Sequence, residues 1–257
     1  MVDYSSFELE GKVAVVTGGT KGIGGAIATA YAQAGCNVAV ASRTVKDCEA
    51  KQIELEKIGV KALGIPTDVT QIPEIEKLNK AVLDKFGKID ILVNNAGSAV
   101  TKPSEEITEA DWDFVLNLNL KAAFFCSQIL SENMRERKTG SIIMINSGFG
   151  IRPEKRVIPY CASKGGLLQV ARVLAIEWYP KYQIRVNSLL PGYFKTDINE
   201  EIMQNQKIYD AIRKRSPMNR FGDLSELIGA ALFMASDKFA SYMTGQMMIV
   251  DGGSYPY

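Results

Sequence analysis

An α/β fold, a doubly wound parallel sheet of seven strands in a single domain over 1–257, is predicted by two regularities of the chain. Short apolar runs alternate with longer amphipathic stretches almost from end to end, and no Pro/Gly/Ser-rich linker, composition shift or internal repeat interrupts them. A βαβα order implies parallel strands joined by right-handed crossovers. A hydrophobic content of 46% is ample for the large core that such a sheet needs.

Seven runs read as strands buried on both faces: Val13–Val16, Val38–Ala41, Ala62–Ile65, Ile89–Val93, Ile142–Ile145, Arg185–Leu190 and Met247–Val250. Between them, Gly24–Ala34, Lys46–Ile58, Pro73–Phe86, Glu109–Glu136, Tyr160–Tyr179 and Leu224–Ser236 have helical length and periodicity. Pro73 at a first turn and Gly35, Gly59 and Gly87 just past helix ends are the expected punctuation. The segment 193–221 breaks the alternation. It lacks a strand and mixes Phe194, Ile198, Ile202, Met203, Ile208, Tyr209, Ile212 and Met218 with charges. A connection of this length is usually functional, so it reads as a lid over a substrate; a surface helical insertion is the other reading.

Charge and composition exclude several functions. A formal net charge of +1 without a long single-sign block lacks the footprint of a nucleic-acid binder. The acidic start Met1–Glu8 has no secretory apolar stretch, and no run approaches a membrane span, so a soluble, unexported, cytoplasmic protein is expected. Cys36, Cys48, Cys126 and Cys161 show no CxxC pairing and read as free thiols of a reducing compartment. Cys161 is either a small packing residue or a reactive thiol. The chain has no histidine, which removes Ser-His-Asp hydrolysis, Cys-His proteolysis and HExxH zinc chemistry; no metal site is expected. Any acid or base must be Tyr, Lys or a carboxylate.

Tyr160 and Lys164 supply such a pair. On a helix they lie one turn apart on one face, with an ammonium beside a phenol. Lowering a phenol's pKa from about 10 by roughly three units takes about 4 kcal/mol. One cation at about 4 Å supplies on the order of that much at an effective dielectric of 20. The expectation is a tyrosine acidified by its lysine.

A glycine-rich turn, Thr17-Gly18-Gly19-Thr20-Lys21-Gly22-Ile23-Gly24, follows the first strand and opens a helix. There glycines let the backbone approach a pyrophosphate and aim N–H groups at it, although the spacing departs from GxGxxG and tight packing also uses such turns. The end of the second strand reads Ala41-Ser42-Arg43-Thr44, so Ser42 stands where a ribose-binding acid is expected and Arg43 follows it. A guanidinium grips a 2′-phosphate bidentately and Lys21 adds a second cation, which favours NADP(H) over NAD(H). Solvated surface cations explain Arg43 and Lys21 equally, but not the missing carboxylate.

In order and spacing, the turn Thr17–Gly24, Asp68-Val69, Asn94-Asn95-Ala96-Gly97, Asn119, Ser147, Tyr160 with Lys164, and Asn187 followed by Pro191-Gly192 and Thr196 resemble the classical short-chain dehydrogenase/reductase family, over essentially the whole chain. The resemblance implies a Rossmann fold and an enzyme interconverting a ketone and a secondary alcohol. It implies Tyr160 as general acid, Lys164 as the residue that lowers its pKa and bonds the nicotinamide ribose, Ser147 as holder of the substrate oxygen, and Asn119 as the asparagine that orders a water. It further places Gly18, Thr20, Lys21, Gly22, Ile23, Gly24, Ser42 and Arg43 along the cofactor, with Asp68 and Val69 at the adenine. Asn94, Asn95, Ala96 and Gly97 would line the cofactor wall, with sheet bracing an equal role for the two asparagines. Pro191, Gly192 and Thr196 would lie beside the carboxamide. A homotetramer packed through the helices of 109–136 and 160–179 is the family expectation.

For substrate, Phe7–Lys12, Pro191–Thr196 and Ser216–Gly222 are similar to the gluconate 5-dehydrogenase branch and related sugar or polyol reductases. Arg152, Lys155 and Arg156 either face a carboxylated substrate or are solvated. A 3-oxoacyl-carrier-protein reductase and a hydroxysteroid dehydrogenase are the rival activities. A catalytically silent NADP(H)-binding regulator is the rival of another class.

Overall fold

Strands that are apolar on both faces are stable only where helices cover both sides of the sheet, and the computed structural model places them so. It describes residues 4–196 and 199–254, with the backbone alone at 201 and 202. Met1–Asp3, Ile198 and the side chain of Ile202, which entered the expectations above, lie outside the described residues. Strands β1 (Val13–Thr17), β2 (Asn37–Ser42), β3 (Ala62–Pro66), β4 (Ile91–Asn94), β5 (Gly140–Ile145), β6 (Ile184–Pro191) and β7 (Met247–Val250) form one sheet in the order β3-β2-β1-β4-β5-β6-β7. Every pairing is parallel, as expected.

The helices are α1 (Gly22–Gln33), α2 (Val45–Glu56), α3 (Ile72–Phe86), α4 (Glu109–Leu116), α5 (Ala122–Leu130), α6 (Glu132–Arg137), α7 (Ile158–Tyr182), α8 (Glu200–Gln204), α9 (Gln206–Arg213), α10 (Ser225–Ala235) and α11 (Asp237–Ala240). Alternate strand residues feed two cores. Ala14, Val16, Ile91, Val93, Ile143 and Ile145 pack with α1 and α10, while Val13, Val15, Leu92, Ile142 and Met144 pack with α3, α5 and α7. Gly35, Gly59 and Gly87 end their helices at φ +82°, +110° and +76°. The buried guanidinium of Arg185 on β6 donates to the Met234 carbonyl at 2.8 Å and pairs with Asp237 at 3.1 Å, which fastens the end of α10 to the sheet.

One expected helix is broken. The stretch 109–136 opens with a capping box of Thr108 and Asp111, passes through a π-helical turn at Asn117–Lys121, and breaks at Ser131. The wider turn rotates Asn119 into the interior, where it is 1% exposed. Segment 193–221 contains α8 and α9 and a single parallel bridge, Phe194 with Gly222, but no strand among its described residues. No helix among the described residues is long and apolar enough to cross a membrane, and all four cysteines are free.

Helix and sheet approach closely at Gly64 on β3, where an added Cβ would lie 2.1 Å from the Cys48 carbonyl oxygen of α2. Gly64→Ala should therefore cost about 3 kcal/mol or more, read from urea denaturation midpoints. Gly229→Ala, in α10 with nothing within 4 Å of the new methyl, should instead gain about 0.5–1 kcal/mol from helix propensity.

Candidate active site

The sheet's strand order reverses between β1 and β4, where the carboxyl ends of two neighbouring strands diverge into a crevice. A clamp holds its lip. The Thr17 hydroxyl accepts from the N–H groups of Asn95 and Ala96 at 3.0 and 3.1 Å, and the Asn95 amide donates to the carbonyls of Thr17 and Gly18, both at 3.0 Å. Asn94 donates to Ser127 Oγ at 2.8 Å. Of the two readings for these asparagines, bracing is the one their side chains take up.

Within the turn the glycines do different things. Gly18, at φ +62°, sits against Asn95, and a Cβ on Gly24 would lie 2.4 Å from the Gly18 carbonyl oxygen, so Gly24 serves close packing. Gly22, at φ +56°, faces open space bounded by the methyl of Thr196, 4.0 Å from where its Cβ would be. It begins α1, whose first turn receives no side-chain cap, so its N–H groups are free to meet an anion. Thr20 precedes it, and Ile23, half-buried, follows. Lys21 and Arg43 are exposed, and neither side chain has an ion pair or hydrogen bond among the described residues. Ser42 is half-buried beside Arg43. The Asp68 carboxylate accepts from the N–H and hydroxyl of Thr70 at 3.0 and 2.8 Å, and Val69 is buried. Pro191 is buried, and Gly192 packs against Asp251, whose Cα would lie 2.6 Å from a Cβ there.

Across the crevice, Ser147 lies two residues beyond the end of β5, and Tyr160 and Lys164 lie on the first turns of α7, which carries Pro159 at its start. The Ser147 hydroxyl accepts from the Phe149 N–H at 3.2 Å, and its own N–H donates to the Asn146 side chain at 2.9 Å, which assigns Asn146 a structural part. Lys164 is 4% exposed; its ammonium donates to the Ile145 carbonyl at 2.8 Å and stands 5.6 Å from the centre of the Tyr160 ring. A Cβ on Gly97 would lie 3.7 Å from that ammonium.

The expected acidification of Tyr160 by Lys164 is corrected here. Burial raises the phenol above its ordinary value, opposed in part by a hydrogen bond with Ser147. The same burial pushes the Lys164 ammonium down to about 8. The lysine is turned toward a carbonyl beneath the ring, and desolvation outweighs its charge. Tyr160 is thus a neutral phenol, a proton donor, over a wide pH range.

Asn119, not the exposed Asn117, enters the site. Its Oδ1 accepts from the Ser98 N–H at 2.8 Å, and its amide donates to the Ser98 carbonyl at 2.8 Å and to Ser163 Oγ at 3.1 Å. Both amide hydrogens are therefore engaged in bracing the β4 loop against α7. Sequence reasoning did not single out Thr17, Ser98 or Ser163, because hydroxyl residues of this kind carry no local signal. Nor did it single out an aromatic row: Phe149 meets Tyr160 at 6.4 Å and Tyr193 at 6.3 Å, and Phe221 meets Tyr193 at 5.3 Å and Tyr209 at 4.8 Å. Of the three cations on the loop before Tyr160, all are exposed, and Arg152 donates to the Ser254 carbonyl at 3.4 Å.

A family model described as enoyl-(acyl carrier protein) reductase matches residues 18–255. The chain belongs to the short-chain dehydrogenase/reductase family. As a short-chain dehydrogenase/reductase it is an oxidoreductase acting on secondary alcohols. It is 38% identical to a 2-dehydro-3-deoxy-D-gluconate 5-dehydrogenase of Escherichia coli, over 97% of both chains. It is 34% identical to the gluconate 5-dehydrogenase of Gluconobacter oxydans, over 96% of both. The crystal structure of an actinorhodin polyketide ketoreductase with NADPH superposes with a TM-score of 0.91 at 32% identity, covering 96% of this chain and 98% of that one.

The depressed Lys164 has a consequence for stability. Between pH 8 and 10.5 the unfolded chain holds a proton on this amine that the folded one has released, so its contribution to stability rises with pH in that window. Lys164→Met lacks this contribution. Relative to the parent, the variant's stability should fall by up to roughly 3 kcal/mol between pH 7 and pH 10.5. Paired urea melts of both proteins at the two pH values check this.

Proposed function

We propose that this short-chain dehydrogenase/reductase interconverts a ketone and a secondary alcohol on a sugar acid or polyol, with NADP(H) as cofactor. One observation carries the reading: Ser147, Tyr160 and Lys164 converge at one end of a crevice whose other end holds a glycine turn, a helix start whose N-cap side chain makes no capping bond, and two cations without partners among the described residues.

The residues present fit a dinucleotide. Gly22 leaves backbone room, the first turn of α1 offers N–H groups for a pyrophosphate, and Arg43 and Lys21 suit a 2′-phosphate. Ser42, Asp68 and Val69 would border the adenosine, Ala96 and Gly97 the wall, and Pro191, Gly192 and Thr196 the carboxamide. When bound, the cofactor supplies hydride transfer at its nicotinamide ring. The chain supplies the proton. Tyr160, kept neutral by burial, gives the phenol proton to the carbonyl oxygen, and the Ser147 hydroxyl holds that oxygen as charge develops on it. Lys164 sits beneath the phenol, close to the Gly97 wall where a ribose would lie. Asn119 positions the loop that carries Gly97.

Sugar acids and polyols are favoured because relatives similar over nearly their full length are named as gluconate, deoxygluconate and threitol dehydrogenases. We further propose that segment 193–221 covers the substrate, supported by the aromatic row from Tyr160 to Tyr209. A cytoplasmic homotetramer agrees with four free thiols and with the exposed apolar residues Trp112 and Phe114 on α4 and Val173 and Ile176 on α7.

The purified protein should oxidise NADPH with 5-keto-D-gluconate or a ketose of similar size; cofactor binding without turnover across such a panel would instead identify a regulator. Arg43→Ala should raise the KM for NADPH about tenfold or more while leaving that for NADH nearly unchanged, and a parent enzyme that prefers NADH would refute the cofactor assignment. Tyr160→Phe should keep cofactor affinity, read by fluorescence titration, and lose about 100-fold or more of kcat.

A further inference from the structure

We propose that Arg215 binds the carboxylate of a sugar-acid substrate, and that Glu154 is an intramolecular carboxylate competing for the same guanidinium. The inference rests on the sugar-acid reading above and names the residue that would make the site prefer an anion.

Glu154 lies on the loop between Ser147 and Tyr160, and Arg215 lies just beyond α9 in the long segment. Their ion pair therefore joins the two pieces of chain that flank the reactive hydroxyls. The other ion pairs of that segment, Lys195 with Asp223, Arg213 with Asp210 and Arg220 with Glu226, are each closed within it or with the start of α10. Among the described pairs of the segment, Arg215 alone reaches across to the loop before Tyr160.

The pair stands at the aromatic wall of the site. The charges of Glu154 and Arg215 both act on the Tyr193 phenol, the first raising and the second lowering its pKa, after the larger effect of burial. Tyr193 meets Phe149 edge-on at 6.3 Å, and Phe149 meets Tyr160 at 6.4 Å, so two ring contacts lead from Tyr193 to the proton donor. A sugar acid presents both a carbonyl and a carboxylate, the first for the Tyr160 phenol and the second for the Arg215 guanidinium.

The pair is also weak enough to exchange. The Arg215 side chain is 54% exposed, and among the described residues one guanidinium nitrogen is engaged, by one Glu154 oxygen. The other Glu154 oxygen accepts from the Lys155 N–H at 3.0 Å. Exposed single-contact pairs contribute little, whereas a carboxylate that takes both guanidinium nitrogens is held more firmly.

The test compares kcat/KM for 5-keto-D-gluconate with that for the uncharged ketose D-fructose, with NADPH in both assays. In Arg215→Ala the ratio of the two should fall about tenfold or more, with Arg215→Lys intermediate. Glu154→Gln should lower the KM for the anion. Lys207→Ala, which removes an exposed cation of α9 without a described partner, should leave the ratio where it was. A ratio unmoved by Arg215→Ala, or moved equally by Lys207→Ala, overturns the inference while the activity stands. A parent enzyme inactive on both substrates overturns the proposed function instead. Calorimetric titration with D-gluconate then decides the inference separately: binding about tenfold weaker in Arg215→Ala supports it, and equal or undetectable binding in the parent and the variant overturns it.

Discussion

The site depends on the clamp at the end of β1. Two parallel strands that part at a switch point leave their loops without mutual support, and here the Thr17 hydroxyl and the Asn95 amide supply it through four hydrogen bonds. They hold the glycine turn against the residues that lead to Gly97, and Gly97 in turn lies beside Lys164. The clamp thereby sets the width of the crevice that separates the helix start from the reactive hydroxyls. Asn119 continues the same bracing from the β4 loop to Ser163 on α7, one residue from Lys164.

Desolvation, more than charge pairing, sets the protonation of the reactive groups. Tyr160 and Lys164 are both driven toward their neutral forms, the phenol upward and the amine to about 8. A site arranged this way holds a phenolic proton ready for a carbonyl oxygen at neutral pH. It keeps the amine near the balance point between its two forms, where added charge in the crevice shifts it readily. The Ile145 carbonyl, on the same strand that leads to Ser147, meets the ammonium's need for an acceptor.

On the substrate side the chemistry passes from hydroxyls to rings and then to charges. Phe149 and Tyr193 form an apolar wall beside Tyr160, and Phe221 and Tyr209 carry it into the long segment, where Arg215 and Glu154 meet. Under the proposed function the sheet and α7 are the scaffold for the reaction, and recognition falls to connections, which vary without disturbing the core.

The sequence by itself determined the seven strands, their parallel order of use and the nearness of Tyr160 to Lys164, because these rest on local periodicity and on Tyr and Lys at one helical turn's spacing, whereas Ser147 and Asn119 are singled out by the resemblance to the family. The π-helical turn that buries Asn119 and keeps Asn117 exposed leaves no mark on local periodicity. Tertiary structure alone decided the direction of the Tyr160 shift, the bracing roles of Asn94, Asn95 and Asn119, and the meeting of Arg215 with Glu154, 61 residues apart. The physical reason is common to all three. Burial, hydrogen-bond partnership and ion pairing depend on which distant segments pack together, and spacing along a chain carries no measure of that.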